Sequence, residues 1–125
     1  MDVEALVMTI VGPLVDGRLY WDTTPQGGPL KDDNGVYLPF IIGQIIGGMD
    51  QEYLDQSFPD HENVRLQLVS FSPSSLAATD LNRAARQALL SNYKPAGIVG
   101  SPTAIYDPRL LLRGRVQHFS LWVKP

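Results

Sequence analysis

The chain has 125 residues and a mass of 13.8 kDa, so we expect residues 1–125 to form a single domain. The content of 44% hydrophobic and 18% charged residues excludes wholesale disorder, and no apolar run approaches the ~18 residues of a membrane-spanning helix. The absence of cysteine excludes disulfides, thiolate nucleophiles, iron–sulfur clusters and cysteine-ligated zinc. Asp2 and Glu4 stand where a secretory signal carries positive charge, so we expect cytoplasmic synthesis and no membrane partner.

Charge is divided unevenly along the chain, although the net charge is only −3. Residues 1–82 hold three basic and twelve acidic residues, whereas residues 83–125 hold seven basic residues and a single acidic one, Asp107. Two interpretations stay open: the halves intermingle in the fold and cancel, or an acidic surface of one copy meets a basic surface of the next. A head-to-tail contact of the second kind closes into a ring when the rotation permits.

The first 22 residues predict a short helix followed by a short strand. Asp2 can cap a helix in which apolar side chains recur every three or four residues, and Gly12-Pro13 stops it. Asp16-Gly17 supplies a turn, after which the Leu-Tyr-Trp run at positions 19–21 favours a strand.

Residues 23–46 combine a long loop with the most apolar strand of the chain. Proline, glycine, Asp and Asn break all periodicity over residues 23–37, which is long enough for a partner contact. Residues 37–46 then predict a strand with two apolar faces, one carrying Phe40 and Ile42 and the other Ile41. A helix layer or another subunit must cover the second face, and we place Phe40 and Ile42 at a subunit interface.

The centre of the chain predicts an acidic connection, a strand and a helix. Residues 47–63 are polar and acidic, and an extended hairpin and a mobile loop both fit them. Residues 64–71 alternate apolar and polar side chains, as in a strand with one buried face. Ser72, Ser74 or Ser75 can cap the following helix. Its predicted buried stripe is Ala77, Leu81, Ala84, Ala85, Ala88 and Leu89, and its predicted outer face is Asn82, Arg83, Arg86 and Gln87.

The last third predicts a loop over residues 92–100 and a closing pair of strands. The strands cover residues 103–106 and 110–123, joined through Asp107-Pro108-Arg109. The resulting fold class is α+β, an antiparallel sheet of four to five strands with two helices packed on one face. Exposed strand edges and the doubly apolar strand indicate an oligomer.

Candidate catalytic and metal-binding residues are sparse. His61 and His118 have no second ligand at helical spacing, and no serine has the flanking glycines of a nucleophile elbow. We interpret His61 as a solvated loop residue and His118 as a strand residue paired with a neighbour. We interpret residues 32–35 as a tight turn rather than a calcium loop, because Ile41 stands where such a loop needs glutamate. The sequence therefore predicts no enzyme activity, no metal and no cofactor.

Arg109, Arg113 and Arg115 form a basic cluster near the C-terminus. Nucleic-acid binding is disfavoured, because no stacking platform is recognisable and the acidic half of the chain repels a polyanion. We prefer pairing with carboxylates on an adjacent subunit. The matching acidic residues are Asp50, Glu52, Asp55, Asp60 and Glu62.

Four segments, in this order, give the chain a recognisable pattern: GRLYWDTTPQGG, YLPFIIGQIIGG, VRLQLVSFSPS and LNRAARQALL. Together with the N-terminal helix, they resemble the tail terminator or tail completion proteins of long-tailed bacteriophages, of the lambda tail terminator type. The resemblance covers most of the chain, while the C-terminal third matches as a generic pair of strands. None of these segments is a catalytic signature.

The resemblance implies a structural virion protein that forms a ring, commonly a hexamer, at the head-proximal end of the tail tube. Such a ring ends tube polymerisation and offers an attachment surface to neck or head-completion proteins. The implied partners are further copies of the chain, the tail tube protein and a neck protein, with DNA only passing through the lumen. The implied location is the head–tail junction of the virion, after assembly in the host cytoplasm. Alternatives are a head–tail joining protein, a small α+β enzyme that uses His61, and a DNA-binding accessory protein.

Overall fold

The computed structural model describes residues 3–25, 27–47, 62–92 and 96–123, and these form two α-helices, a 3-10 helix and five strands. The helices are α1 (Val3–Val11), a 3-10 helix (Gly12–Val15) and α2 (Ser75–Asn92). The strands are β1 (Leu19–Trp21), β2 (Phe40–Gly47), β3 (Glu62–Ser72), β4 (Ala96–Asp107) and β5 (Leu112–Val123). The predicted α+β class is confirmed, whereas the expectations for residues 48–61 lie outside the described residues.

The strands form one mixed sheet in the order β1-β2-β3-β5-β4. Neighbouring strands are antiparallel except at one edge, where β1 runs parallel to β2 with Leu19 opposite Ile41. The prediction of a wholly antiparallel sheet is therefore wrong for β1. A parallel pair needs a crossover of about a dozen residues or more, and the long connection over residues 22–39 supplies it. The Ile41 amide donates to the Arg18 carbonyl at 3.0 Å, and Arg18 Nε donates to the Pro39 carbonyl at 2.8 Å, so both ends of the crossover are fixed.

Both helices pack on the same face of the sheet, as predicted. Leu66 on β3 lies opposite Phe119 on β5, and strand alternation places Ile41 on that same face. The buried cluster contains Val7, Val11, Val15, Leu19, Ile41, Val64, Leu66, Leu68, Ala85, Leu89, Phe119 and Leu121. Removal of this apolar surface from water is the main stabilising contribution to the fold.

Helix α2 begins after Ser74, whose Oγ accepts the Ala77 amide at 3.3 Å, so one of the three predicted caps is confirmed. Its fully buried side chains are Ala78, Asn82, Ala85 and Leu89. Ala85 and Leu89 of the predicted stripe are confirmed, and its other four residues are half-buried beside the buried line, but the placement of Asn82 on the outer face is wrong. Alanines flank the buried line on both sides, so the apolar pattern does not define a unique face.

Strand β4 begins earlier than predicted, because residues 96–100 belong to it rather than to a loop. The β4–β5 register shifts between Val99 and Thr103, and Gly100 has a φ of 76° within this bulge. Gln117 Nε2 donates to the Gly100 carbonyl at 3.1 Å. Gly100, one of the residues that predicted a loop, therefore lies in a β-bulge inside a continuous strand.

Two predicted turns are confirmed, and each is held by an aspartate. Asp32 Oδ1 accepts the amides of Asn34 at 2.8 Å and Val36 at 3.0 Å, which uses this carboxylate within its own turn. Asp107 Oδ1 accepts the Arg109 amide at 2.9 Å, at the connection between β4 and β5. Strand β5 begins at Leu112, slightly later than predicted, because this turn includes residues 108–111.

The parallel edge depends on close contact between Trp21 and Gly43. A Cβ atom at position 43 would lie 2.8 Å from the Trp21 ring. We expect Gly43→Ala to lower the free energy of unfolding by about 1–3 kcal/mol in urea denaturation, because a packed indole must move. Gly97→Ala is the matched control, since a Cβ there meets nothing within 4 Å. Equal losses in the two variants would contradict this packing.

Candidate functional site

The face of the sheet opposite the helices carries an aromatic cluster that includes Phe40. The Phe40 and Phe71 rings stack with centroids 5.1 Å apart, and Tyr20 lies 6.1 Å from Phe40. Phe40 is 2% exposed and Ile42 is half-buried, so the fold itself covers much of the predicted interface pair. The exposed apolar side chains of β2 lie further along the strand, at Ile45 and Ile46.

Most of the predicted acidic partners lie outside the described residues. This holds for Asp50, Glu52, Asp55 and Asp60, and also for His61, the residue of the enzyme alternative. Glu62 is the first residue of β3, where its backbone pairs with Val123, but its side chain is outside the described part. The pairing of these carboxylates therefore stays a prediction.

The three C-terminal arginines occupy three different environments. Arg109 is exposed in the turn before β5. The Arg113 guanidinium lies 4.3 Å from the centre of the Tyr106 ring, in a cation–π contact. Arg115 is half-buried, with Nε donating to Thr79 Oγ1 at 3.2 Å and Nη1 donating to the Gly114 carbonyl at 2.9 Å. Arg115 thus belongs to the junction between the sheet and α2.

Arg115 lines a cleft of about 320 Å³ between α2 and strands β4 and β5, which we call the arginine cleft. Its lining residues are Thr79, Asn82, Arg83, Arg86, Pro102, Ala104 and Arg115. The four helix residues are spaced three, four and seven positions from the first, so they share one side of α2. Three arginine residues from two separate elements therefore line one cavity.

Short side chains on the sheet leave room for this cleft. Arg115 lies opposite Ser70 on β3 and Ala104 on β4, and neither neighbour fills the space above the sheet. The β4 bulge brings Pro102 to the wall of the cleft. Ala104 and the bulge therefore form the part of the cavity wall that belongs to β4.

The positive charge of the cleft has no carboxylate partner among the described residues. Within the described part of the chain, the ion pair joins Arg18 to Asp16 at 3.7 Å, and neither residue lines the cleft. Asn82, which also lines the cleft, is only 4% exposed. Like charges that lie close together repel one another, which is unfavourable without a counter-charge. These features are typical of a site that binds an anionic group.

Sequence reasoning found Arg115 but not its partners in the cleft. Arg83 and Arg86 were predicted to lie on a solvated helix face, and the three-residue spacing between them was the available signal. Their convergence with Arg115 depends on how α2 lies over β5, which no local pattern reports.

Other kinds of site find little support in the described residues. His118 Nε2 lies 3.1 Å from Gln67 Oε1 on the neighbouring strand, which confirms that a neighbour satisfies this histidine. No group of three or more histidine or acidic side chains in the described ranges is placed to hold a metal ion. None of the helices within those ranges is long and apolar enough to cross a membrane.

Comparison with known proteins does not assign the chain to a family. No protein-family model matches the chain, and no curated protein matches it in sequence.

We expect Arg86→Gln to leave the free energy of unfolding at low ionic strength unchanged, or higher by a few tenths of a kcal/mol. The substitution removes one of three like charges that have no described carboxylate partner, and glutamine keeps the helix propensity. Arg18→Gln is the control and should cost about 1 kcal/mol in urea denaturation, since it removes the bond to the Pro39 carbonyl. A loss from Arg86→Gln as large as that from Arg18→Gln would show that the cleft arginine stabilises the fold.

Proposed function

We propose that this chain is a structural virion protein that assembles into a ring at the head-proximal end of a phage tail tube. The observation that carries the proposal is the edge strand β4, a 12-residue strand at the border of the sheet with exposed apolar side chains. The resemblance in the N-terminal two thirds gives this self-association its biological context.

Strand β4 has few of the features that protect an edge from association. It pairs with β5 on one side, and no other described strand pairs with its outer side. It carries no charged side chain before Asp107, and Ile98 and Ile105 are 41% and 38% exposed. Natural monomers place lysine, proline or bulges along such edges, and here the bulge and Pro102 protect only the middle. Both ends of β4 therefore favour contact with another chain.

The opposite border of the sheet is different, which gives the association a direction. Strand β1 pairs with β2 only as far as Gly43, and Ile45 and Ile46 beyond it are exposed. A contact between the β4 edge of one copy and this border of the next is head-to-tail, and repetition with a suitable rotation closes a ring. The acidic first part and the basic last part of the chain favour the same polarity.

In this role the chain acts by shape and performs no chemical step. One face of the ring copies enough of the tube end to bind the tail tube protein. The other face differs from the tube, so no further tube subunit adds, and a neck or head-completion protein binds there instead. A head–tail joining ring would use the same subunit contacts, and binding to the end of the tube distinguishes the two roles.

The edge contact is tested by introducing charge into β4. We expect the wild-type chain to form an oligomer in multi-angle light scattering, and the double variant Ile98→Lys and Ile105→Lys to shift towards the 13.8 kDa protomer. Leu76→Lys is the control, because Leu76 is 71% exposed on the first turn of α2, away from the edge. A wild-type chain that stays monomeric at high concentration would rule out the ring.

The position in the virion is tested by negative-stain electron microscopy of the purified chain with tail tubes of the encoding phage. We expect a ring at one end of each tube and no further growth when tube protein is added. The double variant in β4 should leave the tube ends bare and able to elongate. Rings that form but never bind tubes would favour the head–tail joining role over the terminator role.

A further inference from the structure

We propose that the arginine cleft binds an acidic segment of a second copy of this chain, with side-chain carboxylates seated among Arg83, Arg86 and Arg115. This inference rests on the proposed self-association and adds to it a second contact beside the β4 edge. It assigns carboxylate groups as the ligand of a cavity whose arginines have no carboxylate partner among the described residues.

The cleft is organised before any ligand arrives. Arg115 is held by Thr79 Oγ1 and by the Gly114 carbonyl, so part of the cost of ordering its side chain is already met within the fold. Arg83 and Arg86 are one helical turn apart on α2 and line the same cavity. Guanidinium groups bind carboxylates through paired hydrogen bonds, so converging arginines suit a ligand that carries several of them.

Asn82 adds a polar group to the wall of the cleft. It lies between Ala78 and Ala85 on the buried line of α2, is 4% exposed and lines the cleft. Its amide N–H groups can donate to a carboxylate in the cleft.

The size and walls of the cleft favour protein carboxylates over a nucleic-acid backbone. A volume of about 320 Å³ holds one or two acidic side chains, and none of its described lining residues is an aromatic on which a base could stack. The net charge of −3 adds long-range repulsion against a polyanion. Residues 50–62 of a neighbouring copy carry five acidic residues and provide the complementary ligand.

The location of the cleft agrees with a neighbour as the source of the ligand. Pro102 and Ala104 form its wall on β4, the same edge strand that exposes Ile98 and Ile105. A copy that associates along this edge therefore lies beside the opening of the cleft.

The test measures binding of a labelled peptide, DQEYLDQSFPDHE (residues 50–62), to the full-length chain by fluorescence anisotropy at low salt. The protein carries Ile98→Lys and Ile105→Lys, so that neighbouring copies do not occupy the cleft. We expect saturable binding that weakens at least ~10-fold with Arg83→Glu. The control Arg109→Glu changes the net charge equally at an exposed turn and should weaken binding much less. A peptide with Asn and Gln in place of Asp and Glu should not bind.

Further arms separate the possible ligands. No binding of the acidic peptide, or equal losses from Arg83→Glu and Arg109→Glu, would overturn the inference. Tighter binding of inorganic phosphate or a single-stranded oligonucleotide, lost with Arg83→Glu, would overturn it in favour of a phosphate ligand. An oligomeric wild type whose cleft binds no peptide refutes this inference alone, whereas a monomeric wild type that binds the peptide through Arg83 refutes only the ring.

Discussion

The pairing of β3 with β5 is the interaction on which the rest of the structure depends. It runs without interruption from Glu62 to Ser72, and its register decides which side chains meet on each face. On the helix face it joins Leu66 to Phe119 in the core and sets Ser70 opposite Arg115 at the cleft. On the other face it joins Gln67 to His118. Because strand side chains alternate, a slip of one residue would exchange these faces and remove both the core and the arginine cleft.

Elements with a clear period could be predicted from the sequence, whereas relations between distant segments could not. The helices, β1 and β3 follow from apolar spacing and from turn residues such as Asp16-Gly17. The direction of β1 depends on where the chain returns after residues 22–39, and that loop has no periodicity. The first half of β4 was predicted as a loop because Pro95, Gly97 and Gly100 are typical of loops, although a β-bulge accommodates Gly100 within a strand.

In the candidate site too, the sequence predicts features of neighbouring residues but not contacts between distant segments. Clustering in the sequence identified Arg115 together with Arg109 and Arg113, but strand and turn geometry places the three in different environments. In the sequence, Arg83 and Arg86 look like residues on the solvated face of a surface helix. Only the packing of α2 against β5 brings them to the same cavity as Arg115. Apolar character alone does not tell a subunit interface from packing within one chain. Phe40, predicted at an interface, stacks on Phe71 of its own chain.

Strand β4 connects the two features that an isolated protomer leaves unsatisfied. Its edge exposes Ile98 and Ile105, and its bulge brings Pro102 to a cleft whose arginines have no described carboxylate partner. Apolar edge contacts are nearly independent of salt, whereas pairs between guanidinium and carboxylate groups weaken as salt screens them. In the proposed ring the edge contact is therefore the part that salt does not weaken, and the cleft selects the polarity of the neighbour, because an acidic surface matches it. The proposed assembly needs both properties, and strand β4 borders both features, because its edge exposes Ile98 and Ile105 while Pro102 and Ala104 line the arginine cleft.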